Sequence, residues 1–470
     1  MQSPVPDRRS MDKSRRNSMR AAEFVCDMRR APLSEASLDA AKMCLVDWLA
    51  VCIGARGLPE AAILRRYLDV AEAAGGAPLL IGGTAAAATA ALVNGTLSHC
   101  LDYDDTHIPT ALHASGPTWA AVLALGTVRK SDEAGLLKAF VCGFEVGASL
   151  GSGGFGVRLN ESGWHSTGVL GRISSATAAA CLLGLDPAAI EDALGLAATQ
   201  ASGLTASFAT MAKPFHAGKA AMDGVIAAEL AEAGLGASRE LLDSAKGLFG
   251  TVFQDRAAVP SLAGLGVVSE IMRNSLKPYA ACQLTHAPID GGRKLRERIG
   301  NAPIDAITVY VNPLAVEIAG VCEPRTPMAG RFSTAYCVAL ALRGYPVVPG
   351  DFVEERLNDP ELVDLASRVS LSGTSDISRT AARLDARLAD GSRVLVDIEH
   401  AFGSEGNPMK WPQIEAKFMS LVTPHLGSAA AELYGALTSF ERPGSLNRSL
   451  SLLGRLPAIH PETSRHHVVA

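Results

Sequence analysis

Between Ser34 and Ala233 apolar side chains recur at the three- and four-residue spacing of a helix, interrupted by short polar breaks. The clearest starts are a Ser34 or Ser37 cap before DAAKMCLVDWLAVCIGA, with Asp39 in the first turn and Gly54 and Gly57 at the end, and Asp186-Pro187, an N-cap followed by proline. Composition shifts near Leu262–Val268, and beyond it the period changes from 3.6 to 2. Ile307, Val309 and Val311 alternate with Thr308 and Tyr310; Ala382, Leu384, Ala386 and Leu388 alternate with polar residues. Asp390-Gly391 gives a tight hairpin, after which Val394, Val396 and Ile398 return. Helical stretches at Arg331–Arg343 and Gly350–Asn358 interleave with these strands. The pattern predicts a mostly α protein: a large all-helical domain at 21–268 and 406–456, and an α+β lid with an antiparallel sheet at 269–405. Residues 1–20 read as a disordered basic tail and 457–470 as a second tail.

Composition narrows the partners. Of 470 residues 48% are hydrophobic, 19% charged and only 5% aromatic, so large cores built on small side chains are expected and disorder is not. The net charge of −5, with no long basic stripe in the body, argues against nucleic acid. No run reads as a convincing membrane span. Nine cysteines without a C-x-x-C pair point away from a disulfide framework, towards a reducing, cytoplasmic location, and leave no thiolate cluster for an iron–sulfur centre.

The candidate chemistry is concentrated in NGTLSHCLDYDDTHIPTALHASGP, Asn94–Pro117. It carries Asp102, Asp104, Asp105, His99, His107 and His113 between two apolar helical stretches. Ionised groups are expensive to bury, so such a cluster reads as a pocket lining, with a solvated polar turn as the plain alternative. A hard cation held by Asp102, Asp105 and His113 is one rival, disfavoured by neighbouring lysine. A serine nucleophile is weaker, because GTLSHC lacks the second glycine of a nucleophile elbow. His165 lies between Gly163 and Gly168, where a loop meets a helix start, and Lys213, His216 and Lys219 gather at i, i+3 and i+6. Pro214 is expected to hold Lys213 extended, its ammonium aimed into a cavity.

Five separated motifs carry a resemblance to the MmgE/PrpD family. They are L-D-Y-D-D-T-H with H-A-S-G-P, G-W-H-S-T-G, the Gly203–Gly224 segment, K-P-Y-A-A-C-Q-L-T-H-A-P-I-D, and G-R-F-S-T-A-Y with Arg331 in place of lysine. The resemblance spans residues 20–455. It implies a cofactor-independent lyase or isomerase on a small di- or tricarboxylate, a homodimer, and no metal. It further implies a pocket of Asp102, Thr106, His113, His165, Lys213 and His286 as catalytic residues, with Lys277, Tyr279 and Arg331 binding substrate. The residue types agree: cations hold carboxylates, imidazoles move protons, and Asp102 is placed to orient one ring. His113 and His165 are expected to be the acid/base pair, and Lys213 to take a substrate carboxylate. The first expectation is a 2-methylcitrate dehydratase-like hydro-lyase, with cis-aconitate decarboxylase- or iminodisuccinate epimerase-like activity as alternatives. A non-catalytic metabolite-binding scaffold is the alternative of another class.

Overall fold

The computed structural model describes residues 15–71 and 74–459. Five helices, Ala87–His99, Ser115–Val128, Glu133–Gly151, Ser166–Leu182 and Ala212–Glu232, pack on one another as the centre of the helical domain. Their faces are lined with alanine, glycine and serine, which lets backbones approach. A Cβ on Gly95 would lie 2.8 Å from the Gly218 Cα, and one on Gly218 would run into the Leu92 carbonyl oxygen. This crossing brings the start of helix Ala212–Glu232 beside the loop that follows His99. Trp48 and Trp119 are fully buried, Trp119 stacking on Phe140 with centroids 4.4 Å apart. Truncating either tryptophan to alanine should cost about 3–5 kcal/mol. Helix Glu133–Gly151 is long and apolar enough to cross a membrane, but 78% of its apolar window is buried inside the protein.

The Ser34 cap is as expected: its hydroxyl accepts from the Ser37 amide, opening helix Glu35–Gly54. Asp39 lies one turn further in and accepts from the Trp411 indole instead. That contact is part of the return of the chain, for helix Trp411–Leu426 packs along Glu35–Gly54. Both tails are shorter than the sequence implied. Residues 17–20 open helix Asn17–Arg30, with Asn17 and Ser18 buried; the Ser18 hydroxyl donates to Glu191 at 2.7 Å. At the other end Ile459 donates its amide to Ile81 at 3.2 Å. The rest of both expected tails, 1–14 and 460–470, lies outside the described residues.

The lid carries a four-stranded sheet in the order Val369–Gly373, Ile304–Val311, Ala382–Leu388, Arg393–Ile398. The three strands read from alternation pair antiparallel, with Val309 opposite Leu384 and Leu384 opposite Val396. The sheet as a whole is mixed, not antiparallel: Val369–Gly373 pairs parallel with Ile304–Val311 after a helical crossover. Gly391 turns the hairpin at φ +85°. One face buries Ile307, Val309, Leu384 and Val396 beneath helices His286–Ile299 and Thr334–Arg343. The other displays exposed pairs such as Arg383–Asp397 at 2.7 Å. Of the expected helical stretches, 331–343 begins only at Thr334 under a Ser333 cap. Gly350–Asn358 breaks into a 3-10 turn, Pro349–Asp351, and one α-turn, Glu354–Leu357.

Candidate active site

The acidic loop leaves helix Ala87–His99 and is pinned at its centre to the chain that enters the lid. Thr106 and Ser275 exchange two backbone hydrogen bonds, at 2.8 and 3.0 Å. Asp102 adopts φ +48°, a left-handed conformation uncommon for a residue other than glycine, and one that concentrates at functional sites. Its carboxylate receives Lys213 Nζ at 2.5 Å on Oδ1 and Lys277 Nζ at 3.3 Å on Oδ2. Burial alone would raise its pKa, but the two ammoniums drive it well below the usual carboxylate range. Lys213 is not extended: it lies in the first turn of helix Ala212–Glu232, where Pro214 forgoes an amide that has no helical partner anyway. Its ammonium sits over the rings of Phe208 and Phe332, at 5.4 and 5.0 Å.

The orienting carboxylate is Asp104, and the expectation that Asp102 fills this role is corrected. Asp104 Oδ2 lies 2.8 Å from His99 Nδ1 and 3.4 Å from His113 Nδ1. Burial opposes its charge, yet the two imidazoles hold its pKa well below normal, so it is an ionised acceptor and both Nδ1 atoms donate. The His113 ring then keeps Nε2 as its basic nitrogen. Thr106 Oγ1 also stands 3.4 Å from His113 Nδ1. His165 caps helix Ser166–Leu182, at the loop-to-helix junction read from its flanking glycines, and meets His216 Nδ1 to Nδ1 at 3.0 Å. Burial depresses the pKa of every imidazole here, His99 and His216 to about 4, so all are neutral at pH 7.

A cavity with an empty volume of about 620 Å³, part of it open to solvent, is lined by Asp102, Thr106, His113, His165, Lys213 and Lys277. Three expected residues stand behind this wall. The Tyr279 hydroxyl donates to Asp290 at 2.5 Å, and His286 packs against the Tyr279 ring and sees the Ala281 carbonyl from Nε2 at 3.2 Å. Arg331 donates to the Cys100 carbonyl at 2.8 Å, two residues before Asp102. Their contacts position the site rather than line it. Beneath it Lys417 Nζ reaches Asp47 and the carbonyls of Tyr103 and Lys277, at 2.5, 2.7 and 2.9 Å. Three donors meet three acceptors, and the acidic loop is tied to the Lys277 segment.

Asp105 faces Ser115 and Asn274, so the suspected cation trio of Asp102, Asp105 and His113 does not converge. His99, Asp104 and His113 do place one ligand-type atom each within 4.8 Å of one another. His99 Nδ1 is hydrogen-bonded to Asp104 at 2.8 Å, and His113 Nδ1 stands 3.4 Å from both Asp104 Oδ2 and Thr106 Oγ1.

Family models match in two consecutive blocks, the MmgE/PrpD N-terminal domain over residues 19–260 and the MmgE/PrpD C-terminal domain over residues 279–436. The chain belongs to the MmgE/PrpD family. It is 30% identical over 398 residues to the cis-aconitate decarboxylase of Aspergillus terreus (strain NIH 2624 / FGSC A1156), covering 77% of this chain and 80% of that one. The Homo sapiens cis-aconitate decarboxylase is 29% identical over 347 residues, 70% and 71% of the two chains, and the Mus musculus one 27% identical over 395, 80% of each. Within this MmgE/PrpD fold the sequence motifs found the loop but not the order of its contacts. His99, Asp104 and His216 were in view without an assigned place; His99 and Asp104 pair locally, five residues apart, and His216 meets His165 only where their two helices come together. Phe208, Gln283 and Arg379 also line the cavity. They carry no signal in a single sequence, being common residue types in loops.

Proposed function

We propose that this protein is a cofactor-independent lyase on small tricarboxylates, and that its reaction is decarboxylation of cis-aconitate or a close analogue. The carrying observation is the buried Lys213–Asp102–Lys277 cluster opening into a cavity beside the carboxylate-backed His113. Two ammoniums against one carboxylate leave a net positive charge for substrate carboxylates. The walls contributed by Phe208, Phe332 and Leu284 are apolar. They favour loss of CO2, because a desolvated carboxylate becomes a neutral molecule. The C–C bond to that carboxylate breaks, and its electron pair stays on the carbon skeleton, spread towards a carboxylate held by lysine. Substrate charge offsets the burial that keeps His113 neutral, so His113 carries a proton at Nε2 in the complex, its imidazolium stabilised by Asp104. That proton closes the carbanion; one proton is consumed for each CO2 released.

The resemblance to curated cis-aconitate decarboxylases over most of both chains favours decarboxylation over the dehydration of 2-methylcitrate first expected. The test is NMR in deuterated water with cis-aconitate, 2-methylcitrate, citrate and iminodisuccinate. Loss of cis-aconitate with one deuteron in the product is the expected result. Turnover of 2-methylcitrate or iminodisuccinate alone would return the reading to dehydratase or epimerase. Binding without turnover of any substrate would favour the scaffold. A homodimer and a cytoplasmic location belong to the same proposal; all nine cysteines are free thiols, eight of them buried, which suits a reducing compartment. Light scattering tests the dimer.

A further inference from the structure

The cavity has two polar features that the chemistry above leaves unused, and both belong to the lid side of the chain. Gln283 sits in the 3-10 turn Gln283–Thr285 that leads into helix His286–Ile299. It lines the cavity and is 9% exposed, yet among the described residues neither its Oε1 nor its Nε2 has a hydrogen-bond partner. An orphaned buried amide is costly, so its retention asks for a partner from outside the chain. Arg379 lies in the loop between strands Val369–Gly373 and Ala382–Leu388. That loop is fixed on both sides, Asn312 Nδ2 donating to the Ile377 carbonyl at 3.0 Å and the Ala401 amide to the Thr380 carbonyl at 2.8 Å. Arg379 lines both this cavity and the adjoining surface groove, so it stands at the mouth. It is half-buried, and among the described residues no hydrogen bond or close ion pair holds its guanidinium; Glu161 acts on it only at longer range. Other buried cations are held directly, Arg172 by Asp223, Lys417 by Asp47 and Lys213 by Asp102, and Arg331 by the Cys100 carbonyl.

We propose that Gln283 and Arg379 form a second carboxylate-binding subsite, separate from the Lys213–Asp102–Lys277 cluster, that takes the outer carboxylate of a tricarboxylate and so distinguishes it from a dicarboxylate. The guanidinium supplies a planar fork for the carboxylate oxygens and the amide supplies one further N–H donor. This inference rests on the tricarboxylate reading given above.

Calorimetric titration with two unreactive probes, propane-1,2,3-tricarboxylate and succinate, separates the possibilities without relying on turnover. Arg379→Gln should weaken the tricarboxylate about tenfold or more and leave succinate within about twofold, the usual worth of a charged hydrogen-bonded contact. Gln283→Leu should do the same to a smaller degree, and Arg379→Lys should fall between wild type and Arg379→Gln. Thermal melts confirm that each variant is folded; the loop position of Arg379 makes its variants the safer pair. Unchanged tricarboxylate affinity in Arg379→Gln overturns the subsite, and so does an equal loss for both probes. If the wild-type protein binds neither probe, the tricarboxylate reading itself fails and takes the subsite with it.

Discussion

Two imidazoles border the same cavity, and they are backed differently. His113 has a buried, ionised carboxylate behind it, Asp104 at 3.4 Å; His165 has another imidazole, His216 at 3.0 Å, with Lys213 adding to the depression of its pKa after burial and His99. A carboxylate stabilises an imidazolium, so burial and Asp104 oppose each other at His113. Nothing offsets burial at His165, whose pKa lies well below normal. On the function proposed above, the same residue type serves as a proton carrier in one wall and as a neutral hydrogen-bonding group in the other. The expectation that His113 and His165 form the acid/base pair is thereby sharpened into a proposal, in which the neighbours of each ring divide the work between them.

The largest expected effect comes from removing the carboxylate that makes the difference. Asp104→Asn should lower kcat by about 10²–10⁴, as should His113→Ala, and the double variant should lose little more than either alone, since the two act as a unit. Additive losses in steady-state kinetics would show that Asp104 serves His99 or the fold instead. Cutting the tie beneath both walls comes next. Lys417→Met leaves Asp47 buried without its partner and should cost about 3–5 kcal/mol in chemical denaturation. Adding Asp47→Asn should recover stability but not full activity, because the Tyr103 and Lys277 carbonyls still lack their common donor. Full recovery of kcat would reduce Lys417 to a stabilising role.

A smaller effect is expected on the other wall. His165→Gln keeps a polar neutral side chain and should reduce kcat only about tenfold, near 1.4 kcal/mol, without moving the acid limb of the pH–rate profile. A loss matching that of His113→Ala would erase the distinction drawn here. The last test, read for its direction, is stability against pH. His99, His216 and His286 have folded pKa values of about 4, 4 and 3, below the roughly 6.5 of an unfolded histidine. As pH falls from about 6.5 towards 4 the unfolded chain takes up these protons and the folded one does not, so stability falls with pH. Asp105, raised to about 7 by burial, acts in the opposite direction with Asp47, Glu145 and Asp290, also raised by burial, while His107, His113 and His165, lowered by burial, act with the first three. Melting temperatures rising on acidification through that window would contradict the neutral-imidazole site.

The helical half and the three antiparallel strands were legible because periodicity is local. A 3.6-residue repeat or a two-residue alternation says which face is buried wherever the element ends up. The Ser34 and Asp186 caps, the Asp390-Gly391 turn and the loop-to-helix place of His165 are local in the same way. The motifs likewise marked the chain's family, and they named Asp102, Thr106, His113, His165, Lys213 and Lys277, all of which line one cavity. Only the tertiary structure separated Asp102, neutralised by lysines from two distant segments, from Asp104 two residues on. Only it moved Tyr279, His286 and Arg331 behind the wall, added the parallel edge strand, and left Gln283 and Arg379 facing the cavity without partners among the described residues. The Asp102 lysines, the Arg331 contact and the parallel strand pair all join segments far apart in the chain. Residue type and local spacing fix a group's chemistry and its face; its charge state and its role follow from neighbours brought by the crossing of helices and the docking of the lid.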